Sequence, residues 1–343
     1  MFIRKRILKT SLSSLFLVLL FTTCHVVTRL FRSEKSTVVV PEYFPEIPYP
    51  ADNTYSADRW KLGKLLFHDV NLSRDKSISC SSCHKQEFAF SDTVALSTGF
   101  ENRPGTRNAP TLGNVAYHPY YIRDGGVATL EMQILVPVQE HNEFNFNILE
   151  IAERLQKNKL YTDLSKKAYN RELDYYVITR ALANFERSMI TSNSRYDRYF
   201  YQGKKYALNE SEIRGMNLFF SEKLACTKCH VGINFTNYSF ENNGIYEKYK
   251  DIGRKRLTQK EEDLEKFKVP TLRNIALTAP YMHDGSFSNL EKVIEHYNSG
   301  GKTNPRKNNL IKPLDLSAQE KADLIHFLKT LTDEEFIRDK KFK

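Results

Sequence analysis

The sequence has little that would build a β-sheet. No segment of useful length alternates apolar and polar residues, which is the pattern of a half-buried strand. Helix-start signals and helical apolar spacing recur instead, so we predict a mostly α protein with few or no strands. No βαβ pattern surrounds its cysteine pairs, which argues against a thioredoxin-type redox site.

The chain also lacks an apolar run long enough to span a membrane comfortably. A short one, centred on residues 15–21, follows the basic residues Arg4, Lys5, Arg6 and Lys9, which is the layout of a secretory signal. Cys24 comes next, and two alternatives stay open: it is a lipidated cysteine, or the segment is a membrane anchor. We therefore predict a signal peptide or membrane anchor at 1–35 in an exported protein, and an extended proline-containing linker at 36–52.

An excess of positive charge over the body of the chain is also missing. The net charge is +10, but the first 35 residues hold seven basic residues and one acidic residue, which leaves +4 for the other 308. We therefore exclude a nucleic-acid partner, and we expect the basic end at 338–343 to be solvated.

Cysteine is scarce, but four of the five cysteines form one pattern that occurs twice. Cys80-Ser-Ser-Cys83-His84 and Cys226-Thr-Lys-Cys229-His230 match Cys-x-x-Cys-His, the attachment site of a c-type haem. Zinc ribbons place their cysteine pairs about 15–20 residues apart, whereas these pairs are 146 apart and each precedes a histidine. We predict two covalent haems, with His84 and His230 as iron ligands.

The segment after each haem site is repeated. Asn-Ala-Pro-Thr-Leu at 108–112 and the Asp-Gly at 124–125 recur as Val-Pro-Thr-Leu at 269–272 and Asp-Gly at 284–285, with one offset of 160 residues. This pattern indicates a duplicated haem module. We place one domain at 53–205 and the other at 206–343.

Several helices are predicted from their first residues. Capping boxes open helices at 209–212, 288–291 and 317–320, and residues 175–189 form a long amphipathic segment. The charged stretch 242–266 is predicted to be an exposed insertion.

From residue 57 to residue 332 the chain resembles the bacterial diheme cytochrome c peroxidase family, including its MauG-like branch. The resemblance rests on Leu-Gly-Lys-Leu-Leu-Phe at 62–67, Arg-Asn-Ala-Pro-Thr at 107–111, Phe-Lys-Val-Pro-Thr-Leu-Arg-Asn at 267–274 and Ala-Pro-Tyr-Met-His-Asp-Gly at 279–285. It implies two cytochrome c-like haem domains packed together and a location in the periplasm or on the outer face of a membrane. It also implies that the N-terminal haem is peroxidatic and that the C-terminal haem receives electrons.

The resemblance implies a peroxide pocket at the first haem. In the family a glutamine is followed by a proline four residues later and a glutamate ten residues later, and Gln133, Pro137 and Glu143 keep that spacing. We expect Glu143 to be the acid–base group and Gln133 a polar group of the pocket. His141 is a lesser candidate for the same task.

Two departures from classical family members concern the iron ligands. Phe100 lies where many members carry a histidine that blocks the first haem until reduction, and phenylalanine cannot bind iron. Tyr297 replaces the distal methionine of the second haem, as in the MauG-like branch, and a phenolate favours ferric iron. His296 is the competing ligand, but it points about 100° away on the same helix.

A third departure lies between the haems. The family's inter-haem tryptophan is Arg123 here, and the one tryptophan of the chain is Trp60. Tyr120 and Tyr121 are candidates to replace it. The resemblance also implies a calcium ion held by Asn108, Thr278 and Pro280, together with waters.

The leading hypothesis is a peroxidase that reduces hydrogen peroxide with electrons from a small cytochrome or other donor protein. The alternative is a MauG-like oxidase that uses peroxide to oxidise a partner protein. A plain diheme electron carrier is a third reading, against which Gln133 and Glu143 argue. Assembly as a homodimer and a membrane tether stay open, and His68, His118 and His326 are expected to be ordinary packing or surface residues.

Overall fold

Helices joined by long loops make up the chain, as the helix-start signals predict. The computed structural model describes residues 38–343; the signal-like segment, Cys24 and the start of the linker lie outside them. Within residues 38–343 the α-helices are Ala57–Phe67 (α1), Cys80–Cys83 (α2), Leu130–Gln133 (α3), Leu135–Gln139 (α4), Ile148–Gln156 (α5), Lys159–Tyr169 (α6), Tyr175–Glu186 (α7), Arg195–Phe200 (α8), Glu210–Phe219 (α9), Lys255–Thr258 (α10), Leu290–Asn298 (α11) and Ala318–Lys329 (α12).

The β structure is limited to two short strands. Phe240–Glu241 (β1) pairs antiparallel with Phe267–Lys268 (β2), with Phe240 opposite Lys268. The prediction of a mostly α fold is confirmed. None of the helices in the described part of the chain is both long and apolar enough to cross a bilayer.

Side-chain caps explain where the longer helices begin. Ser and Asn hydroxyl or amide oxygens accept backbone N–H groups at the first turn, which satisfies donors that have no partner inside the helix. Asn209 and Ser317 form the predicted capping boxes at the starts of α9 and α12. For α11 the prediction is one residue early, because Asn289 rather than Ser288 caps the helix by accepting the Lys292 N–H.

A glycine lets the first helix of each repeat lie directly on a later helix. Helix α1 packs on α7, and α9 packs on α12. A Cβ atom at Gly63 would lie 1.9 Å from the Ala181 carbonyl oxygen, and one at Gly215 would lie 1.9 Å from that of Asp323. Any side chain at these positions would separate the helices, so both modules use the same close crossing.

The buried apolar residues divide into two main clusters. The first is built from α1, α5, α6 and α7 with the loops around the first haem site, and the second from α8, α9, α11 and α12. They correspond closely to the two repeats. A buried polar contact joins them, because the Asn114 side-chain amide donates to Asn234 Oδ1 at 2.8 Å.

Two segments pack more tightly than the sequence suggests. The basic side chains of the end at 338–343 are exposed, as expected, but Phe342 is 1% exposed and its ring packs on Phe90 in the first cluster. The charged stretch 242–266 is not a simple exposed insertion, since Ile245 and Tyr249 form a small core with Phe267. Apolar and aromatic side chains among the charges anchor both segments.

The described part of the predicted linker is extended but does not extend freely into solvent. Phe44 is buried, and the ring of Tyr43 stacks on Tyr201 with centroids 4.5 Å apart.

Candidate functional site

The first Cys-x-x-Cys-His motif forms a single helical turn that turns its histidine inward. The turn Cys80–Cys83 ends at His84, whose N–H donates to the Cys80 carbonyl. The His84 Nδ1 lies 2.8 Å from the Phe90 carbonyl oxygen, in a loop where Ala89 and Phe90 have positive φ. Because that carbonyl can only accept, Nδ1 carries the proton and Nε2 keeps a lone pair for a metal.

The second motif repeats this geometry. Its histidine, His230, also donates its backbone N–H to the first cysteine, Cys226, at 2.8 Å. The His230 Nδ1 lies 2.9 Å from the carbonyl oxygen of Phe235, another residue with positive φ. Burial lowers the pKa of both His84 and His230, which keeps their imidazoles neutral as an iron ligand requires.

The four cysteines are suited to covalent attachment rather than to zinc. None of the cysteines in residues 38–343 is in a disulfide. Burial raises the pKa of Cys83 and Cys226 to about 11. Across the same residues, no cluster of three or more His, Cys, Asp or Glu side chains forms a metal site. The zinc-ribbon alternative therefore fails.

A cavity of about 300 Å³ lies next to the second motif. Cys226, Cys229 and His230 line it together with Tyr297 and apolar side chains, among them Leu272, Ile275, Met282, Leu290, Val293, Ile294, Leu316, Leu324 and Leu328. The proximal histidine, the two thiols and the apolar wall fit a haem at this site.

The two candidate distal residues on α11 face different surroundings. Tyr297 lines the cavity, and burial raises the pKa of its phenol. The adjacent His296 is outside the cavity lining, and its Nε2 lies 2.9 Å from the Asn243 carbonyl oxygen. Tyr297 is therefore the side chain that is in position to approach an iron bound at His230.

The chain reverses after α4, in the loop that carries Glu143. The Phe144 N–H donates to the Pro137 carbonyl and the Glu143 N–H to the Glu140 carbonyl, which turns the loop back over α3 and α4. The Gln133 Oε1 is buried and has no hydrogen-bond partner. A buried acceptor without a partner is rare in proteins, which agrees with the expectation that Gln133 is a polar group of a pocket.

The carboxyl group of Glu143 lies in a poorly solvated place close to the first pair of thiols. Its charge contributes to the raised pKa of Cys80 and of Cys83. Burial, followed by repulsion from Glu140, raises its own pKa to about 7. A carboxyl group with this pKa can both accept and return a proton near neutral pH.

Phe100 lies beside Glu143. Its N–H donates to the Glu143 carbonyl at 2.7 Å, and its ring is 8% exposed. A Cβ at Gly99 would lie 2.0 Å from the Asn142 carbonyl, so this loop is pressed against the loop that carries Glu143. The side chain that replaces the blocking histidine is therefore next to the candidate peroxide pocket.

Three other histidines, His68, His141 and His326, lie outside the second cavity, whereas His118 and His283 line it. His141 is exposed and contacts Arg103 at 3.1 Å, His68 contacts the Phe342 carbonyl oxygen, and His326 contacts Ser211. His118 packs against Tyr238 at the border of the second haem cavity.

Two buried charged residues were not singled out from the sequence. Glu186, at the end of α7, is 5% exposed, and burial raises its pKa to about 8. It also contributes to the raised pKa of Cys80, which puts it near the first haem motif. Lys268 lines the second cavity, and burial and Arg123 lower its pKa to about 7. The sequence signal that could have identified Glu186 is its position as a charged residue on the otherwise apolar face of α7.

The residues expected around a calcium ion also border the second cavity. Asn108, Thr278 and Pro280 line it together with Arg123. Tyr120 is exposed near Phe240, while Tyr121 is buried in the first cluster.

Comparison with known proteins shows the family of this chain. The sequence model described as di-haem cytochrome c peroxidase matches residues 57–206. The methylamine utilization protein MauG of Methylorubrum extorquens is 33% identical over 292 residues, which cover 84% of this chain and 82% of that protein. The cytochrome c551 peroxidase of Nitrosomonas europaea is 33% identical over 337 residues, 96% of this chain and 93% of that protein.

Solved structures agree as well. A MauG-like protein associated with microbial copper homeostasis superposes with a TM-score of 0.84 at 36% identity, covering 89% of this chain and 97% of that one. The diheme peroxidase BthA of Burkholderia thailandensis, at 22% identity and a TM-score of 0.72, shares the fold. This chain therefore belongs to the di-haem cytochrome c peroxidase family, and it is an oxidoreductase that carries two c-type haems.

Proposed function

We propose that this protein is exported and reduces hydrogen peroxide to water at the haem held by His84, with electrons that enter through the haem held by His230. The observation that carries the proposal is the position of Glu143, a carboxyl group with a pKa of about 7, close to the first pair of thiols. When bound, the haems supply the iron that activates peroxide and the path for two electrons.

The residues of the first pocket handle the protons. The ionised Glu143 carboxylate takes a proton from one peroxide oxygen and returns it to the other, which then leaves as water. Gln133 Oε1 accepts a hydrogen bond from peroxide and so orients it. The Phe100 ring has no lone pair to offer the iron, so this pocket is open in the oxidised protein without prior reduction.

The test is the reaction of the purified diheme protein with peroxide in a stopped-flow spectrophotometer, with and without a reduced small cytochrome. Glu143→Gln keeps the shape of the side chain but cannot take a proton, so we expect the reaction to slow by about 100-fold or more. The matched control is Glu150→Gln, which changes an exposed carboxylate of the nearby helix α5 and should leave the rate unchanged.

The pH dependence of the reaction rate with peroxide tests the same role of Glu143. Because the carboxylate is the reactive form and its pKa is about 7, the wild-type rate should fall towards acid pH, by about tenfold per unit well below pH 7. The Glu143→Gln protein should lack this fall. An unchanged rate in that variant would remove Glu143 from the mechanism.

The second candidate function is oxidation of a partner protein, as in the MauG-like branch, and Tyr297 favours it. A phenolate on the second iron stabilises its oxidised states, which makes that haem a poor acceptor from ordinary cytochromes. Fast oxidation of a reduced cytochrome by peroxide would support the peroxidase. Slow cytochrome oxidation with a long-lived spectral change after peroxide would support the protein oxidase, and no response to peroxide would leave only electron transfer.

A further inference from the structure

Arg123, which occupies the position of the family's inter-haem tryptophan, is hydrogen-bonded to Asn108, the residue expected to supply the side-chain ligand of calcium. Arg123 donates from Nε to the Asn108 backbone oxygen at 3.0 Å and from its terminal NH2 group to Asn108 Oδ1 at 2.6 Å. Both oxygens of Asn108 therefore face one guanidinium group.

The orientation of the Asn108 amide is fixed independently. Its nitrogen lies 3.3 Å from the carbonyl oxygens of Val94 and Ala95, which can only accept. Asn108 is 4% exposed, so it has little freedom to turn. The amide must therefore point Oδ1 towards Arg123, and that oxygen is the one side-chain ligand expected for the metal.

The backbone of Arg123 is held as well. The Lys268 N–H donates to the Arg123 carbonyl at 2.7 Å, which ties this residue to strand β2. The Lys268 Nζ donates to the Tyr120 carbonyl at 2.7 Å, which holds this part of β2 against the same loop. Burial, followed by repulsion from Arg107, lowers the pKa of Arg123 to about 10, which still leaves it charged at neutral pH.

These contacts do not fit a calcium ion. Calcium takes about six to eight oxygen ligands at about 2.3–2.6 Å, and carboxylates usually supply part of the charge balance. Here the expected ligands are one amide and two backbone carbonyls, and the amide oxygen is already engaged by a cation. A divalent ion at this place would meet like charge from the Arg123 guanidinium, which is 2.6 Å from Asn108 Oδ1.

We propose that the Arg123 guanidinium takes the place of the calcium ion between the two haem modules, so that this protein neither binds nor needs calcium there. The cation that engages Asn108 is then part of the chain. Like a metal ion, it satisfies Asn108 in the first repeat, and its backbone joins β2 at the start of the second repeat.

The experiment measures calcium in the purified diheme protein by mass spectrometry after incubation with calcium and gel filtration, together with the visible and electron paramagnetic resonance spectra before and after a chelator. For the wild type we expect less than about 0.1 calcium per chain and spectra that do not change with the chelator. For Arg123→Met, which frees Asn108 and removes the charge, we expect about one calcium per chain and spectra that respond to the chelator.

The matched control is Arg254→Met. Arg254 is a partly buried arginine of the same region that donates to the Asp124 carbonyl and does not contact Asn108. This variant should stay free of calcium, as the wild type does.

Two results would overturn the proposal. One is a stoichiometric calcium in the wild-type protein that survives gel filtration and whose removal alters the spectra; this measurement needs no variant to fold. The other is an Arg123→Met protein that is folded, carries both haems and takes up no calcium. Neither result depends on the reaction with peroxide, so the calcium measurement and the test of the proposed function can fail independently.

Discussion

The two haem sites are the same on the proximal side and different on the distal side. In each, a Cys-x-x-Cys turn presents a histidine whose Nδ1 is bound to the carbonyl of a phenylalanine with positive φ, at 2.8 Å for His84 and 2.9 Å for His230. A glycine-mediated helix crossing supports each site in the same way. The duplicated sequence therefore provides the same haem attachment twice.

The ionisable groups around the two sites differ. Near the first thiol pair lie the carboxyl groups of Glu143 and Glu186, both with raised pKa values. The second cavity is lined by Tyr297, by the cationic Arg123, by Lys268 and by the carboxyl group of Glu241. Carboxyl groups that titrate near neutral pH suit the proposed reaction with peroxide at the first site, and the phenol suits the proposed electron storage or transfer at the second.

The difference between the two sites should be reduced most by a substitution that closes the distal position of the first haem. Phe100→His would give the loop beside Glu143 a ligand for the iron, so that both distal positions are filled. We expect peroxide reactivity of the oxidised protein to fall by about 10–100-fold, in proportion to the fraction that stays open. Prior reduction should restore it.

The measurement is stopped-flow kinetics together with electron paramagnetic resonance, in which the first haem should change from high spin to low spin. Phe100→Leu is the control, because leucine fills similar space and cannot bind iron. A Phe100→His protein that reacts as fast as wild type and stays high spin would show that the loop does not reach the iron.

The second site is altered by Tyr297→Phe, which removes the phenol but keeps the ring. Loss of a phenolate ligand should raise the reduction potential of the second haem by more than about 59 mV, a tenfold change in a one-electron equilibrium, and change its visible bands. His296→Gln is the control, because that side chain is directed to the Asn243 carbonyl. Unaltered bands and potential in Tyr297→Phe would exclude ligation by Tyr297.

Much of this arrangement could be predicted from the sequence. The haem motifs, the repeat and the capping residues Asn209 and Ser317 are local patterns, and local patterns survive folding because neighbouring backbone groups determine them. The mostly α fold and the family were confirmed. The roles of Glu143, Gln133 and Tyr297 stay predictions, with geometry that agrees with them.

What could not be predicted depends on contacts between distant segments. Phe342 looked like part of a solvated basic end, yet its ring packs on Phe90, about 250 residues away in sequence. The bond between Arg123 and Asn108 likewise needed the folded loop, since the sequence showed only that a tryptophan is replaced. The burial of Glu186 has the same origin.

Glu186 offers the smallest and most local test, on stability rather than activity. Burial raises its pKa from the unfolded value near 4.5 to about 8, so the folded protein binds this proton more tightly than the unfolded chain does. The contribution of this proton to the free energy of unfolding is therefore fully present below about pH 4.5. It is lost as the pH rises through about 8, where a buried carboxylate must form.

Glu186→Gln removes that ionisation, so the variant should unfold at a higher temperature than the wild type at pH 9, by about 2–4 °C for each kcal/mol of destabilisation that is removed. The difference in unfolding temperature should shrink at pH 5. Thermal unfolding followed by circular dichroism measures this, with the exposed Glu153→Gln of α5 as the control that should show no such trend. A difference in unfolding temperature that does not depend on pH would mean that Glu186 stays neutral or solvated. The contrast between the ionisable groups of the first and second sites would then rest on Glu143 at the first site.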